Sequence, residues 1–346
     1  MDKPIIQGPL DIDFYKCTTG QVVHRRYPKV QATFGLVNRT NVRLADHVDV
    51  GELREKLDEA RKVVSFGNSD LHYLRGTNEY GERMFKEPYL DFLRGLHLPP
   101  YDLEVRGGNF RLEFSGLWAE ATYWETIALA VITELYGRSL MKGLSRFERE
   151  LVFAEGRIRL ARKIHILRQY MEKVRAEGAR DDDPIISIVD FSTRRRFSFD
   201  WQREVVQTLA EELPGQFRGT SNIKLADDHN LLPMGTSPHE PQMILAAIAG
   251  DDDEAVMTSQ NRFLDEWWEE YGWGLSIALP DTFGSDSFFR LAGEELARKW
   301  KGLRQDSGDP IAFGEKAIAF YERHGVDPHS KLVIFSDGLD VETIVK

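Results

Sequence analysis

The 346-residue chain has one cysteine, Cys17, so no internal disulfide can form, and a lone thiol fits a reducing compartment. The buried habit of free cysteine makes Cys17 a packed core residue rather than a nucleophile. Long hydrophobic runs are also missing. The most apolar stretch, residues 127–132, is interrupted by Glu125 and Glu134 and is too short and too charged at its ends to span a bilayer. The opening Met1-Asp-Lys-Pro-Ile-Ile-Gln-Gly-Pro9 has no apolar signal core. A cytoplasmic protein with no membrane partner is expected, in which the sequon Asn38-Arg-Thr40 carries no message. Positive charge is in deficit, with 45 Lys and Arg against 56 Asp and Glu and a net charge of -11, which argues against a general nucleic-acid binder. Local basic clusters could still hold a small anion. Three signatures are absent as well: Gly-x-x-x-x-Gly-Lys-Ser/Thr, Gly-x-Gly-x-x-Gly and Gly-x-Ser-x-Gly. A nucleotide triphosphate would therefore not be held by a P-loop, and neither a dinucleotide fold nor a serine nucleophile elbow is indicated. No repeat at solenoid periods is visible.

What is present is ordinary globular composition, 42% hydrophobic and 29% charged, on a chain long enough for a sizeable core and two structural regions. Residues 1–145 mix helix and strand. Residues 31–37 alternate as a strand, 49–64 read as a helix of mixed charge, and Gly107-Gly108 sits between two alternating stretches as a hairpin turn. Residues 120–141 are apolar on most faces, as a buried helix is. Residues 146–183 form a long helix and a linker. Its cluster Arg157, Arg159, Arg162, Lys163 and Arg168 is read as a solvated face with acidic partners one turn away, and Arg180-Asp-Asp-Asp-Pro184 as a linker turn. Asp251-Asp-Asp-Glu254 supplies negative charge at a helix start. From 184 to 346 the pattern becomes strand, polar junction, helix, repeated. Strands are expected at 185–189, 216–219, 231–234, 275–279, 302–303 and 332–335, with helices including 201–213, 261–271 and 310–322. That alternation predicts an α/β fold: an irregular (β/α) barrel, incomplete toward the C-terminus, behind an N-terminal α+β domain.

Parallel strands collect their loops at one end, so chemistry is expected at the six junctions. Asp190-Phe-Ser-Thr-Arg-Arg-Arg196 offers Thr193 and three arginines, Arg194, Arg195 and Arg196, whose planar forks suit carboxylate and phosphate. At least one of the three is expected simply to pair with an acid. Gly219-Thr220-Ser221-Asn222 reads equally as an anion or ribose cradle and as a helix N-cap. In Gly235-Thr-Ser-Pro-His239-Glu240 a histidine stands at a strand-to-helix turn, where it could be a base, a metal ligand or a phosphate acceptor. No second histidine lies at zinc-ligand spacing. Asp281, Asp286, Asp306, Asp309 and Asp337 suit Mg²⁺ held together with substrate phosphates, Asp306 and Asp309 being the candidate ligands. Gly338 would let backbone approach a phosphate closely. Arginines, cradling turns, carboxylates and one placed histidine point to a phosphorylated sugar substrate.

The combination resembles the nicotinate phosphoribosyltransferase family in its bacterial form. The matching segments run in order along the whole chain: Asp13-Phe-Tyr-Lys16, Trp124-Glu-Thr126 with Glu134, 190–197, 219–222, 233–240, Asp281-Thr282, 302–310 and 335–340. The resemblance implies attack of nicotinate on the anomeric carbon of 5-phosphoribosyl-1-pyrophosphate, giving nicotinate mononucleotide and pyrophosphate, the first step of NAD salvage from nicotinate. It implies ATP as co-substrate, hydrolysed through a phosphohistidine at His239 that Asp281 orients, with Mg²⁺. It assigns Asp190, Thr193, Arg194, Arg195, Arg196 and Arg304 to substrate carboxylate and phosphoribosyl contacts. Asp306 goes to ribose or metal, Asp337 and Gly338 to the 5-phosphate, and Tyr15 to the pyridine ring in a homodimer with shared sites. In two respects the sequence departs from that pattern. Ser192 stands where the family usually has glycine, and the expected Phe-Gly-x-Gly-Thr-type phosphate loop does not occur before the sequence ends, eight residues after Gly338. Rival readings are a nicotinamide- or quinolinate-using relative and a catalytically impaired member. A barrel aldolase would need a Schiff-base lysine at a strand end, and none of the six junctions contains one.

Overall fold

The computed structural model describes residues 3–79, 82–179 and 185–346; the linker expected at 180–184 lies outside the described residues. The chain divides into two compact units, residues 1–76 with 85–234, and residues 77–84 with 235–344. The division near 234, rather than near 184, has a local cause. The N-terminal segment is tied to the second junction region: Asp13 bridges Asn222, Phe14 N–H donates to the Ser221 carbonyl, and Ile223 N–H donates to the Ile12 carbonyl.

In the first unit, α1 (Phe14–Arg26) is buried along most of its length from Phe14 to Val23. An antiparallel sheet of β1 (Gln31–Gly35), β2 (Tyr101–Arg106) and β3 (Asn109–Leu117) has the order β1-β3-β2. The hairpin turns at Gly107 and Gly108, both at positive φ, where a residue with a Cβ would be strained. α2 (Val50–Val63) starts at Asp49, whose side chain accepts from Glu52 N–H. α3 (Trp124–Met141) is apolar nearly all round, and ten of its residues, including Trp124, Ile127, Val131 and Leu135, are buried. α4 (Arg146–Ala176) opens on a Ser145–Glu148 capping box. Its arginines are surface ion-pair partners, but only Arg159 pairs one turn away, with Glu155; Arg157 and Arg168 reach Glu204 and Glu212 on the helix that follows the first parallel strand. Burial pushes the Cys17 thiol up to about 12, which keeps it protonated and inert.

Two three-stranded parallel sheets carry the junctions, one in each unit. The first is β4 (Ile188–Asp190), β5 (Phe217–Thr220) and β6 (Leu232–Pro233). The second is β7 (Ile277–Ala278), β8 (Gly302–Gln305) and β9 (Leu332–Phe335). The six strands are those expected from the sequence; β4, β6 and β7 are shorter than expected, β5 and β9 equal in length and β8 longer. Among the described residues they form no closed barrel. Gly219 sits at φ +143 and a Cβ there would collide with the Leu232 carbonyl, so glycine is what lets β5 and β6 pair. Helices follow the strands: α5 (Phe199–Glu212), α6 (His239–Ala249), α7 (Asp253–Tyr271) and α8 (Pro310–Arg323). α7 begins eight residues before the expected 261, because the Asp252 side chain caps it and Asp253 and Glu254 occupy its first turn.

Candidate active site

The junctions of the first sheet build an enclosed polar lattice. Arg196 is fully buried and its Nη1 and Nη2 donate to Asp11 Oδ1 at 2.6 Å and Oδ2 at 2.9 Å, with a third bond to the Ile5 carbonyl. Asp190 Oδ2 accepts from Thr220 Oγ1 at 2.7 Å and Gln202 Nε2 at 2.9 Å, while its Oδ1 accepts from Ser192 Oγ at 2.5 Å. Ser221 Oγ donates to Asp13 Oδ1 and Asn222 Nδ2 donates to Asp11 Oδ1. Asn222 Oδ1 accepts from Leu225 N–H and caps the short helix Ile223–Asp228. Thr193, Thr220, Ser221 and Asn222 are all buried. The cap reading of Gly219–Asn222 is therefore realised, with the side chains of Thr220, Ser221 and Asn222 turned inward onto carboxylates. The expectation that Arg196 faces an anionic ligand is corrected: its fork closes on Asp11, because a fully buried guanidinium has to be paired.

The other two arginines behave differently. Arg195 is exposed and has no side-chain partner among the described residues. Arg194 has Nη1 2.8 Å from Glu125 Oε1 and Nε 3.2 Å from Asp13 Oδ2, and its guanidinium lies 5.4 Å from the centre of the Tyr15 ring. The Lys16 ammonium is 2.5 Å from Glu125 Oε2 and 5.1 Å from the same ring. Burial pushes Glu125 up, but Lys16 and Arg194 outweigh it and bring the carboxyl down to about 2. Asp13, wholly enclosed, is raised by burial in spite of Arg194.

In the second unit the junctions converge on His239, at the first position of α6. Its Nε2 is 3.1 Å from Asp306 Oδ2 and 3.7 Å from Asp281 Oδ1, and its Nδ1 is 2.9 Å from Thr282 Oγ1. Asp281 was expected to orient His239. The structure gives the hydrogen bond to Asp306, because Asp281 Oδ2 accepts from Ser307 Oγ at 2.5 Å and its buried Oδ1 has no hydrogen-bond partner. A carboxylate can only accept, so Nε2 carries the proton toward Asp306, and in the neutral ring the lone pair then lies at Nδ1, beside the Thr282 hydroxyl. Arg304 fixes Asp306 from the other side. Its Nη2 is 2.5 Å from Asp306 Oδ1, its Nε donates to Ser336 Oγ at 2.9 Å and its Nη1 to Thr236 Oγ1 at 2.9 Å. Burial raises Asp306, but the hydrogen bond from His239 and the charge of Arg304 hold it well below the usual carboxylate range. Asp309 lies apart from this group; its Oδ1 accepts from Ala312 N–H and caps α8. Asp286 pairs with Lys316 at 2.7 Å. Asp337 is exposed, and Gly338 has φ +56.

Asp281 and Asp306 are two carboxylates beside one histidine, with one oxygen of Asp281 unpartnered. No cluster of three or more potential metal ligands exists among the described residues. Two carboxylates do not make an all-protein cage, but they fit a hard cation that completes its shell with phosphate oxygens. Asp11, Asp13, Lys16 and Glu125 in the first unit, and Thr236, Thr282, Ser307 and Ser336 in the second, were not singled out as site residues from the sequence. The signal for the aspartates was there: Asp11 and Asp13 alternate with Leu10, Ile12 and Phe14, so burying that segment had to enclose two carboxylates. Their side-chain partners, about 180 residues or more away, carry no local cue.

Residues 186–346 match the nicotinate phosphoribosyltransferase (NAPRTase) family, and residues 10–133 match the N-terminal domain of that family. Among solved structures, the chain is similar to nicotinate phosphoribosyltransferase from Vibrio cholerae. Identity is 29%, the TM-score is 0.84, and the match covers 100% of this chain and 76% of that one. The nicotinate phosphoribosyltransferase from Porphyromonas gingivalis is 29% identical with a TM-score of 0.80, covering 99% of this chain and 80% of that one. A putative nicotinate phosphoribosyltransferase from Saccharomyces cerevisiae, 24% identical with a TM-score of 0.79 over 100% of this chain and 81% of that one, speaks for the fold alone. The chain belongs to the nicotinate phosphoribosyltransferase family.

Proposed function

We propose, from that membership and from the geometry at His239, that the chain transfers the phosphoribosyl group of 5-phosphoribosyl-1-pyrophosphate to nicotinate. The pyridine nitrogen attacks the anomeric carbon, the bond from that carbon to the pyrophosphate oxygen breaks, and nicotinate mononucleotide and pyrophosphate leave. The nitrogen already has a lone pair, so no general base is needed. What the protein contributes is positioning and charge: cations at the leaving group, carboxylates near a sugar ring that becomes positive. Arg304 and Asp306, with Asp337 and Gly338, are assigned to the phosphoribosyl half, and Arg195 to an anionic group. Tyr15 and Arg194 are assigned to the pyridine and its carboxylate.

ATP hydrolysis is coupled to this reaction through His239. The lone pair at Nδ1 attacks the terminal phosphorus, the bond to ADP breaks, and water later releases phosphate. The observation that carries this reading is the grip on His239: one ring nitrogen held by Asp306, the other within reach of a hydroxyl, on the first residue of a helix whose N-terminus favours anions. Mg²⁺ would lie between substrate phosphates and Asp281 or Asp306, where it would neutralise phosphate charge. The strand–helix alternation from 184 onward is read as an irregular (β/α) barrel. The domain reading is an N-terminal α+β domain over 1–145, a helix and linker over 146–183 and a barrel domain from 184. The chain is read as a cytosolic homodimer; none of the described helices is long and apolar enough to cross a membrane.

The test is incubation with nicotinate, 5-phosphoribosyl-1-pyrophosphate and Mg²⁺, with and without ATP, following nicotinate mononucleotide and pyrophosphate. Product should form and should form faster with ATP, and nicotinamide at equal concentration should compete poorly. Preference for nicotinamide would overturn the acid specificity, and absence of product under all conditions would overturn the activity.

A further inference from the structure

We propose that Lys16 and Glu125 form a positioning pair that keeps positive charge on Arg194 available to a carboxylate, and so set a preference for an aromatic acid over its amide. The inference rests on the reading of Tyr15 and Arg194 as the pyridine end of the site. The two oxygens of Glu125 are divided between two cations. Oε2 faces Lys16 Nζ at 2.5 Å, and Oε1 faces Arg194 Nη1 at 2.8 Å. The Lys16 side chain is 0% exposed and its ammonium also donates to Thr122 Oγ1 at 3.0 Å, so it is a permanent claim on Glu125. The Arg194 and Glu125 side chains are 26% and 29% exposed, which puts this end of the cluster within reach of solvent.

Lys16 and Arg194 bring two positive charges; Glu125 supplies one negative. Asp13 is the remaining acid on Arg194, with Oδ2 3.2 Å from Nε, and burial raises its carboxyl. Without Lys16, Glu125 would neutralise Arg194 by itself. With Lys16 in place, the guanidinium is oriented by Nε on Asp13 and Nη1 on Glu125, and Nη2 has no partner among the described residues. That nitrogen is the free edge of a planar fork lying over the Tyr15 ring. A planar aromatic carboxylate gains a charge-assisted bond there; a neutral amide of the same shape gains at most an ordinary hydrogen bond.

The test is Lys16→Met, which keeps the length of the side chain and removes its charge. The expected result is a rise of about tenfold in KM and in the calorimetric Kd for nicotinate. KM for the phosphoribosyl donor and kcat should stay within about twofold, and the preference for nicotinate over nicotinamide should fall in parallel. Lys16→Arg should restore most of the loss. If Lys16→Met does not fold, Lys16→Gln, whose amide still donates to Glu125, should give the same split. A parallel rise in both KM values would make the pair merely structural and overturn the proposal, as would an unchanged nicotinate constant in a folded variant. Wild-type protein that binds nicotinate without forming product would overturn the catalytic reading and leave this proposal to be decided by the Kd values; wild-type protein that binds no nicotinate would overturn both.

Discussion

The Arg196 node and the His239 node are made from the same kinds of residue, at the same kind of strand end, and they differ in exposure. Arg196 and Asp11 have side chains 0% exposed, and Thr220, Ser221 and Asn222 turn their side chains onto carboxylates. His239 is 34% exposed and its carboxylates Asp281 and Asp306 are 10% and 25% exposed; a buried atom without a hydrogen bond occurs in both nodes, Asp281 Oδ1 here and Arg196 Nε there. An enclosed ionic lattice fixes where the chain runs, since each member can be removed only by leaving its partner buried and unpaired. A cluster open to solvent can accept a new partner. The comparison explains why a triple-arginine motif yields one structural arginine, one oriented arginine and one free arginine.

The largest expected effect separates the nodes by chemistry. His239→Ala should lower ATP hydrolysis by at least about a hundredfold, the usual scale for losing a nucleophile. It should leave slow, ATP-independent product formation and an unchanged unfolding midpoint; equal ATP hydrolysis in variant and wild type would put the phosphoryl chemistry elsewhere. Arg196→Ala should do the reverse. It strands Asp11 and should cost about 3–5 kcal/mol of stability by denaturant titration, whatever its effect on rate. A stability change below about 1 kcal/mol would show that the lattice is not a structural unit.

A third prediction uses pH. The Glu125 carboxyl falls from its ordinary 4.5 to about 2 in the folded chain, so it contributes stability that is present above its unfolded value and is lost as pH falls through that window. The drop corresponds to roughly 3 kcal/mol at neutral pH. The stability gap between wild type and Glu125→Gln should therefore be widest near neutrality and close between about pH 4.5 and pH 2. A pH-independent gap would deny the ionic origin. The smallest effect expected is that of Arg195→Ala: about a tenfold rise in KM for an anionic substrate, as for one lost charge-assisted contact, with no loss of stability. Unchanged kinetics would remove Arg195 from the anion site.

How far the sequence could be read depended on the range of the interaction. α3, α4 and the Gly107-Gly108 hairpin were legible because apolar periodicity, the Ser145–Glu148 box and paired glycines act within a few residues. The six strands were legible in position because each apolar run ends in a polar junction. Their lengths were not, since pairing stops where partner strands stop: β7 and β6 keep two residues each. His239 and Asp306 were visible as junction residues, but which aspartate bonds His239 depends on Ser307 drawing Asp281 away, a contact between residues 26 positions apart. The inward turn of Thr220, Ser221 and Asn222 was hidden for the same reason, because their acceptors lie on Asp190, Asp13 and Asp11.

The claim that the open node does chemistry while the closed node holds the fold is tested most directly at the His239 ring. After incubation with ATP and Mg²⁺ in the absence of nicotinate, rapid quench under alkaline conditions and peptide mass spectrometry should find an acid-labile phosphoryl group on the peptide carrying His239, and none in His239→Ala. A phosphoryl group on another residue, or ATP turnover with His239 never modified, would contradict the account.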